Sequence, residues 1–286
     1  MRWYEQHRRD LPWRTTRVTA WGVYVSEVMA QQTQVERVAP LWKQWIARWP
    51  NPSALAAASP AEVLRAWDRL GYPRRALWMH AAAQQMVERH GGRVPRDPDA
   101  LRALPGVGEY TAAAITAFAF RKRAVVLDVN VRRVHARLFF GADAPTRSIT
   151  NAEREHHERF LPASDDTAAT LAQAVMEFGA LVCTAKRPAC DACPLRSDCA
   201  WAIAGFPAAT SARRRQPKFD GTDRQCRGAL MRVLRDAAGP VAHSKLEAAW
   251  ADALQRERCL DSLVTDGLVV PLARHRYALP GDHAVS

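Results

Sequence analysis

The sequence predicts a mainly α-helical chain that ends in a small module of helices and strands. Three observations carry that expectation. Apolar residues recur every three or four positions in WGVYVSEVMAQQTQVERV, PAEVLRAWDRL and RRALWMHAAAQQMVERH, the period of an amphipathic helix. Segments rich in Pro, Gly and Asp, such as RWPNPS and GGRVPRDPD, punctuate these runs, and nothing between Trp3 and about Ala204 alternates long enough to make a sheet. Beyond a charged, small-residue stretch at 206–223, read as a linker, residues 224–286 give three short helical patterns. LVVPLARHRYALP follows, two β-rich pieces around a basic turn. Three helices and then a hairpin is the order of a winged helix.

The chain has 286 residues, enough for one large domain or two smaller ones. Its 41 Lys and Arg outweigh 29 Asp and Glu, a formal charge of +12. Such a balance suits a polyanionic partner, because counterions released from nucleic acid drive association. No apolar run reaches the length of a membrane span, and the N-terminus lacks the apolar region of a signal peptide. A cytoplasmic, nucleoid-associated protein is therefore expected. The ten Trp fall mostly in amphipathic stretches, where they suit a core better than a base-stacking platform.

Cys183, Cys190, Cys193 and Cys199 are spaced C-x₆-C-x₂-C-x₅-C in CTAKRPACDACPLRSDC. Four thiols this close in a reducing compartment point to a tetrathiolate metal site. Zinc and an iron–sulfur cluster both accept four sulfurs; the single C-x₂-C knuckle tilts toward a cluster. Lys186 and Arg187 lie in the first loop, where the metal would present them to phosphate. Cys226 and Cys259 read as buried apolar thiols.

Two carboxylates occupy contrasting settings. Glu27 has Val23, Tyr24, Ala30 and Gln31 as helical neighbours; a carboxyl held there is costly to ionise and suits a general acid. Asp128 ends AVVLD and begins VNVRRVHARLFF, an N-cap position whose amides and helix dipole are expected to favour its ionised form. Such a split suits cleavage of a glycosidic bond through an oxocarbenium-like state. In LPGVGEYTAAAI, Gly106 and Gly108 stand directly before a helical run. Glycine there lets backbone amides approach closely, and a helix N-terminus favours an anion; a plain turn between helices fits the same residues.

With these residues in view, the chain resembles the helix-hairpin-helix DNA glycosylases that carry a [4Fe–4S] cluster, and among them the MutY-type adenine DNA glycosylases. The matching pieces are RRDLPWR, SEVMAQQTQV, LGY, LPGVGEYTAAAI, LDVNVRRV and the cysteine spacing. They cover roughly residues 3–205, in family order. The resemblance implies a two-lobed helical domain over 1–205, including a cluster loop at 183–199 held by the four cysteines; the winged-helix-like domain at 224–286 rests on the order of helices and strands alone. It implies that Glu27 delivers a proton to adenine N7, that Asp128 stabilises the sugar cation, and that Asn130 supports Asp128. Tyr110 stands where endonuclease III carries its Schiff-base lysine, so hydrolysis without a lyase step is implied. Arg14 and Tyr110 would orient the acid, the water and the extruded nucleotide; Gln32, Thr33 and Tyr72 would probe the gap beside the unpaired purine. Gly106 and Gly108 would bring amides to a phosphate.

The implied partner is duplex DNA with adenine opposite 8-oxoguanine or guanine, and a monomer is expected; three roles stand open for the C-terminal domain, contact with DNA beside the lesion, reading of the opposite base, or docking of a repair protein. The sequence departs from the family twice. Ala30 replaces a common Leu, which makes one pocket wall smaller, and 224–280 is too short for the usual MutT-like domain. Two alternatives stand beside this: a T/G or U/G mismatch glycosylase of the same fold, and a non-enzymatic winged-helix regulator.

Overall fold

The computed structural model describes residues 1–208 and 219–282, so the centre of the expected 206–223 linker, residues 209–218, lies outside the described residues. The described chain is mainly helical, as predicted, and divides into two compact units. One comprises Met1–Val23, Arg96–Ala103 and Val107–Arg215; the other comprises Tyr24–Pro95, Leu104–Gly106 and Gln216–Ser286.

Small side chains shape the core of the first unit. The helix Glu109–Phe120 is apolar almost all round, and its Ala114 and Ala117 are buried with Val126, Ala169 and Ala172; Tyr110, Phe118 and Met176 pack against them. Short side chains allow close backbone approach. The helices Val129–Phe140 and Asp165–Leu181 pack together where a Cβ on Gly179 would lie 2.8 Å from Asn130 Cβ. Ser164 caps the second of these, accepting from Thr167 N.

A histidine–phenylalanine cluster closes one side of this unit. The rings of His135 and His157 stack at 3.8 Å, and Phe139 and Phe160 lie 5.1 and 4.9 Å from His135. Burial, reinforced by the neighbouring histidines, pushes His135 down to about 3; burial pushes His157 down to about 4. Both are therefore neutral in the fold and become charged in the unfolded chain below about pH 6.5. The unfolded state then binds more protons, so stability is expected to fall as pH drops from about 6.5 toward 4. The slope is about 1.4 kcal/mol per pH unit for each histidine. Thermal midpoints at pH 7.5 and 5.0 check this: His135→Phe should lose less on acidification than the parent protein.

The second unit has a tryptophan core. Trp45 meets Trp49 at 4.6 Å and Trp67 at 5.7 Å, both edge-on, and all three are buried with Trp42; the expectation of core tryptophans holds here. Ser59 and Glu62 form a capping box at the start of Pro60–Trp67.

The C-terminal segment belongs to this unit. The helix Asp223–Asp236 is followed by β1 (Val241–Ala242), the helices His243–Glu247 and Ala253–Thr265, and the hairpin of β2 (Val270–Leu272) and β3 (Arg276–Ala278). The antiparallel sheet runs β1-β3-β2, with Val241 opposite Tyr277 and Leu272 opposite Arg276. This is the expected winged-helix order with one strand added. The helix that begins at His243 stops at Glu247, and Asp252, accepting from Gln255 N at 2.9 Å, caps a new helix at Ala253. Cys226 and Cys259 are buried thiols, as expected. Arg65 ties the module to the rest of the unit, donating to Asp282 Oδ1 at 3.0 Å and to the carbonyls of Arg235 and Ala237 at 3.2 and 2.8 Å.

Candidate active site and DNA interface

Asp128 is the N-cap of Val129–Phe140. Its Oδ1 accepts from Val131 N at 2.6 Å and its Oδ2 from Asn130 Nδ2 at 2.7 Å. Asn130 is held in turn: Arg133 Nη2 donates to its Oδ1 at 2.7 Å and to the Gly179 carbonyl at 2.6 Å, while Arg133 Nε donates to the Cys183 carbonyl at 2.7 Å. The structure therefore brings Asp128 and Asn130 together and reveals a buried arginine behind them that the sequence reading missed.

One expectation needs correction. Burial raises the Asp128 carboxyl above its ordinary range, outweighing the bonds from Val131 and Asn130 that pull it down. The cap was visible in the sequence, but the loss of solvent was not. An anion starved of water gains most when a positive charge forms beside it, which is the requirement for stabilising a sugar cation.

Arg14, on the short turn Pro12–Arg14, donates from Nη2 to Glu177 Oε2 at 2.9 Å. Glu177 is fully buried and also takes Arg9 through Nε and the backbone N at 2.9 and 2.8 Å. Burial alone would raise this carboxyl; the hydrogen bonds from Arg9 and Arg14 win and hold it down at about 2. Arg14 is thus fixed by a partner that no local sequence signal announced. Tyr110 lies in the first turn of Glu109–Phe120, partly buried.

Gly106 has φ +76°, and a Cβ there would lie 2.9 Å from Trp78 Cβ. Both conformation and packing demand glycine at this position. Gly108 caps the following helix with nothing within 4 Å of its would-be Cβ, so its backbone can be approached. Lys186 and Arg187 are exposed in the cysteine loop, where Thr184 Oγ1 donates to the Arg187 carbonyl at 2.7 Å.

In the second unit, Glu27 sits half-buried on Ala20–Ala30 beside the buried Val23 and Tyr24. The C-terminal end of this helix is gathered by Arg75, itself buried. Its Nη1 donates to the carbonyls of Val28, Met29 and Gln31 at 2.9, 3.1 and 2.5 Å. Its Nη2 reaches Thr33 Oγ1 and the Gly71 carbonyl, each at 3.1 Å. Thr33 also donates to the Leu70 carbonyl at 3.3 Å, so its hydroxyl is occupied within the fold. Gln32 and Tyr72 flank these bonds with φ of +54° and +48°. For residues other than glycine that conformation is strained, and such strain gathers at functional loops.

Cys183, Cys190, Cys193 and Cys199 line one cavity with Val134, Leu138 and Phe178. Arg137 Nη1 donates to Cys183 Sγ at 3.4 Å. Among the described residues, no three Cys, His, Asp or Glu side chains are arranged around a single ion. Four sulfurs on the walls of one cavity fit a tetrathiolate-bound group.

Known proteins identify the family. The chain is 52% identical over 282 residues, 98% of its length and 94% of the relative's, to an adenine DNA glycosylase of Mycolicibacterium smegmatis. It is 48% identical over 284 residues, 98% of its length and 92% of the relative's, to one of Mycobacterium tuberculosis. The chain belongs to the adenine DNA glycosylase family. Residues 25–158 match the HhH-GPD superfamily of base excision DNA repair proteins, and 183–199 match the iron–sulfur binding domain of endonuclease III. A solved thermostable thymine-DNA glycosylase shares the fold, with TM-score 0.62 and 26% identity over 71% of this chain and 93% of that one.

In this family the four-cysteine segment carries a [4Fe–4S] cluster, which Cys183, Cys190, Cys193 and Cys199 would hold. Purified protein should be brown and absorb broadly near ~400 nm. Iron analysis of anaerobically prepared protein checks this, and stoichiometric zinc without iron would contradict it.

Proposed function

We propose that the protein removes adenine mispaired with 8-oxoguanine or guanine from duplex DNA, by hydrolysis and without a lyase step. The mycobacterial likeness across 98% of the chain supports this most strongly, since it takes in the C-terminal module as well as the helical part. The target nucleotide leaves the stack. Glu27 donates a proton to adenine N7, the bond from the sugar to the base breaks, and Asp128 stabilises the resulting cation until water adds and loses its proton. Asn130 holds Asp128 for that task. Tyr110 has no amine to form an imine, and with Arg14 it orients the water and the nucleotide. Gln32, Thr33 and Tyr72 contact the DNA beside the unpaired purine. Lys186, Arg187 and the amides at Gly106 and Gly108 take phosphates, contacts that position without reading sequence. The [4Fe–4S] cluster, when bound, gives the loop that carries these cations its fold.

We place the catalytic domain at 1–205 and a winged-helix-like domain at 224–286. The protein would act as a monomer at the nucleoid, with the second domain free to dock a repair protein. No described helix is long and apolar enough to cross a membrane.

Thymine excision is the second reading, favoured by the structural likeness to a thymine-DNA glycosylase. Duplexes with A:8-oxoguanine, A:G and T:G distinguish the two. Adenine release from the first two is the expected outcome, whereas thymine release without adenine release would overturn the assignment. Affinity should also fall steeply with salt, as the charge of +12 requires.

A further inference from the structure

Tyr72 is an unusual surface residue: its φ is +48° and it is 44% exposed. Arg75 Cζ lies 5.6 Å from the ring centroid and fixes the turn beneath through the Gly71 carbonyl. A second cation comes from the C-terminal module. Arg224 Cζ lies 5.3 Å from the Tyr72 ring and 5.7 Å from that of Phe219, which is 53% exposed.

The module holds these groups in place by bonds of its own. Thr222 Oγ1 donates to the Phe219 carbonyl at 2.6 Å and accepts from Gln225 N, turning the chain into the helix Asp223–Asp236. Gln255 Nε2 donates to the Gly221 carbonyl at 3.0 Å and to Asp223 Oδ1 at 2.9 Å. Neighbouring cations are neutralised: Arg227 and Arg74 share Asp266 at 2.6 and 3.1 Å, and Arg258 pairs with Asp223 at 2.7 Å. Arg224 is the exception. Among the described residues its guanidinium meets two aromatic rings and no carboxylate or carbonyl.

An exposed guanidinium flanked by rings, with no counter-charge among the described residues, contributes little to folding, because exposed cation–π contacts are weak. It is well made for nucleic acid. Aromatic faces stack on unpaired bases, and a planar guanidinium can lie on a ring while its outward N–H groups remain free to donate. We propose that Tyr72, Arg224 and Phe219 form one DNA-contact platform, in which the C-terminal module holds the Tyr72 ring against the duplex beside the estranged purine. This rests on Tyr72 being a DNA contact, as in the function proposed above. Arg224 is then a positioning residue: it acts through the Tyr72 ring.

A double-mutant cycle in the full-length, cluster-loaded protein tests the platform. The probe is a duplex with a non-hydrolysable 2′-fluoro-deoxyadenosine opposite 8-oxoguanine, and Kd is measured for the parent protein, Arg224→Ala, Tyr72→Ala and the double variant. Each single change should weaken binding about fivefold, and the double variant should bind no more than about twofold more weakly than Tyr72→Ala alone. Arg224→Lys, which keeps the charge and loses the plane, should recover less than half of the loss. Thermal midpoints should match the parent for both Arg224 variants, which separates positioning from a fold defect. Unchanged binding by Arg224→Ala would overturn the proposal. So would losses that multiply in the double variant, since Arg224 would then act on phosphate independently of Tyr72. Adenine release by the parent protein separates the two levels: if it releases none from any duplex, the function and the platform fall together. If it is active and Arg224→Ala binds normally, only the platform falls.

Discussion

Replacing Glu27 with Gln is expected to lower adenine excision by about 10²–10⁴-fold, the usual contribution of a positioned general acid. Gln keeps the length, the planar end and one carbonyl acceptor, so packing beside Val23 and Tyr24 is retained. What disappears is the transferable proton. Adenine is a poor leaving group until its ring nitrogen is protonated, so the loss should fall on the chemical step. Single-turnover excision from an A:8-oxoguanine duplex, with protein in excess, measures that step apart from product release, and a parallel Kd on the non-hydrolysable duplex should change little. A Glu27→Gln protein that excises at the parent rate would remove Glu27 from the mechanism.

Arg75→Ala should produce the largest loss of stability of any single change outside the tryptophan core. The side chain is 4% exposed, and it donates to four carbonyls and a hydroxyl. It also stacks 5.1 Å from the Trp67 ring. Three of those carbonyls belong to residues 28, 29 and 31, at the end of the helix that carries Glu27, where backbone acceptors have no partner within the helix. Removing the guanidinium leaves buried acceptors without donors. A loss of about 3–5 kcal/mol is expected, as when one member of a buried charged network is deleted. Burial lowers Arg75 only to about 10, so it stays charged at neutral pH. Arg75→Lys should rescue poorly, because one ammonium with three donors cannot span the same acceptors. Urea unfolding of the three proteins checks both statements, and equal midpoints would show that the network is incidental.

The parts of this fold legible in the sequence are those written in local spacing. The cysteine interval needs only 17 consecutive residues, and the Asp128 cap needs four. The helices appear in their 3.6-residue period, and the winged-helix order appears in the succession of patterns. What escaped depends on residues far apart in the chain. Glu177 meets Arg9 across 168 positions, and from either end it reads as an ordinary charge on an amphipathic helix. Arg75 and Arg133 sit beside other arginines in RRALWMH and VNVRRV, where nothing local separates the buried arginine from its neighbour. The strand β1 has two residues, too few to show alternation, and exists because β3 offers it a ladder. The character of Asp128 was misread for the same reason: its amide donors are local, whereas the groups that exclude water come from elsewhere.

Gly179 shows how narrow the tolerance around Asp128 is. A methyl group there would fall 2.8 Å from Asn130 Cβ and 2.9 Å from its backbone oxygen, so one added carbon must pry two helices apart. The first group displaced would be the amide that aims the carboxylate. The aim of this anion therefore depends on a hydrogen atom 51 residues downstream, at a position that no motif marks and that touches no DNA in the chemistry described.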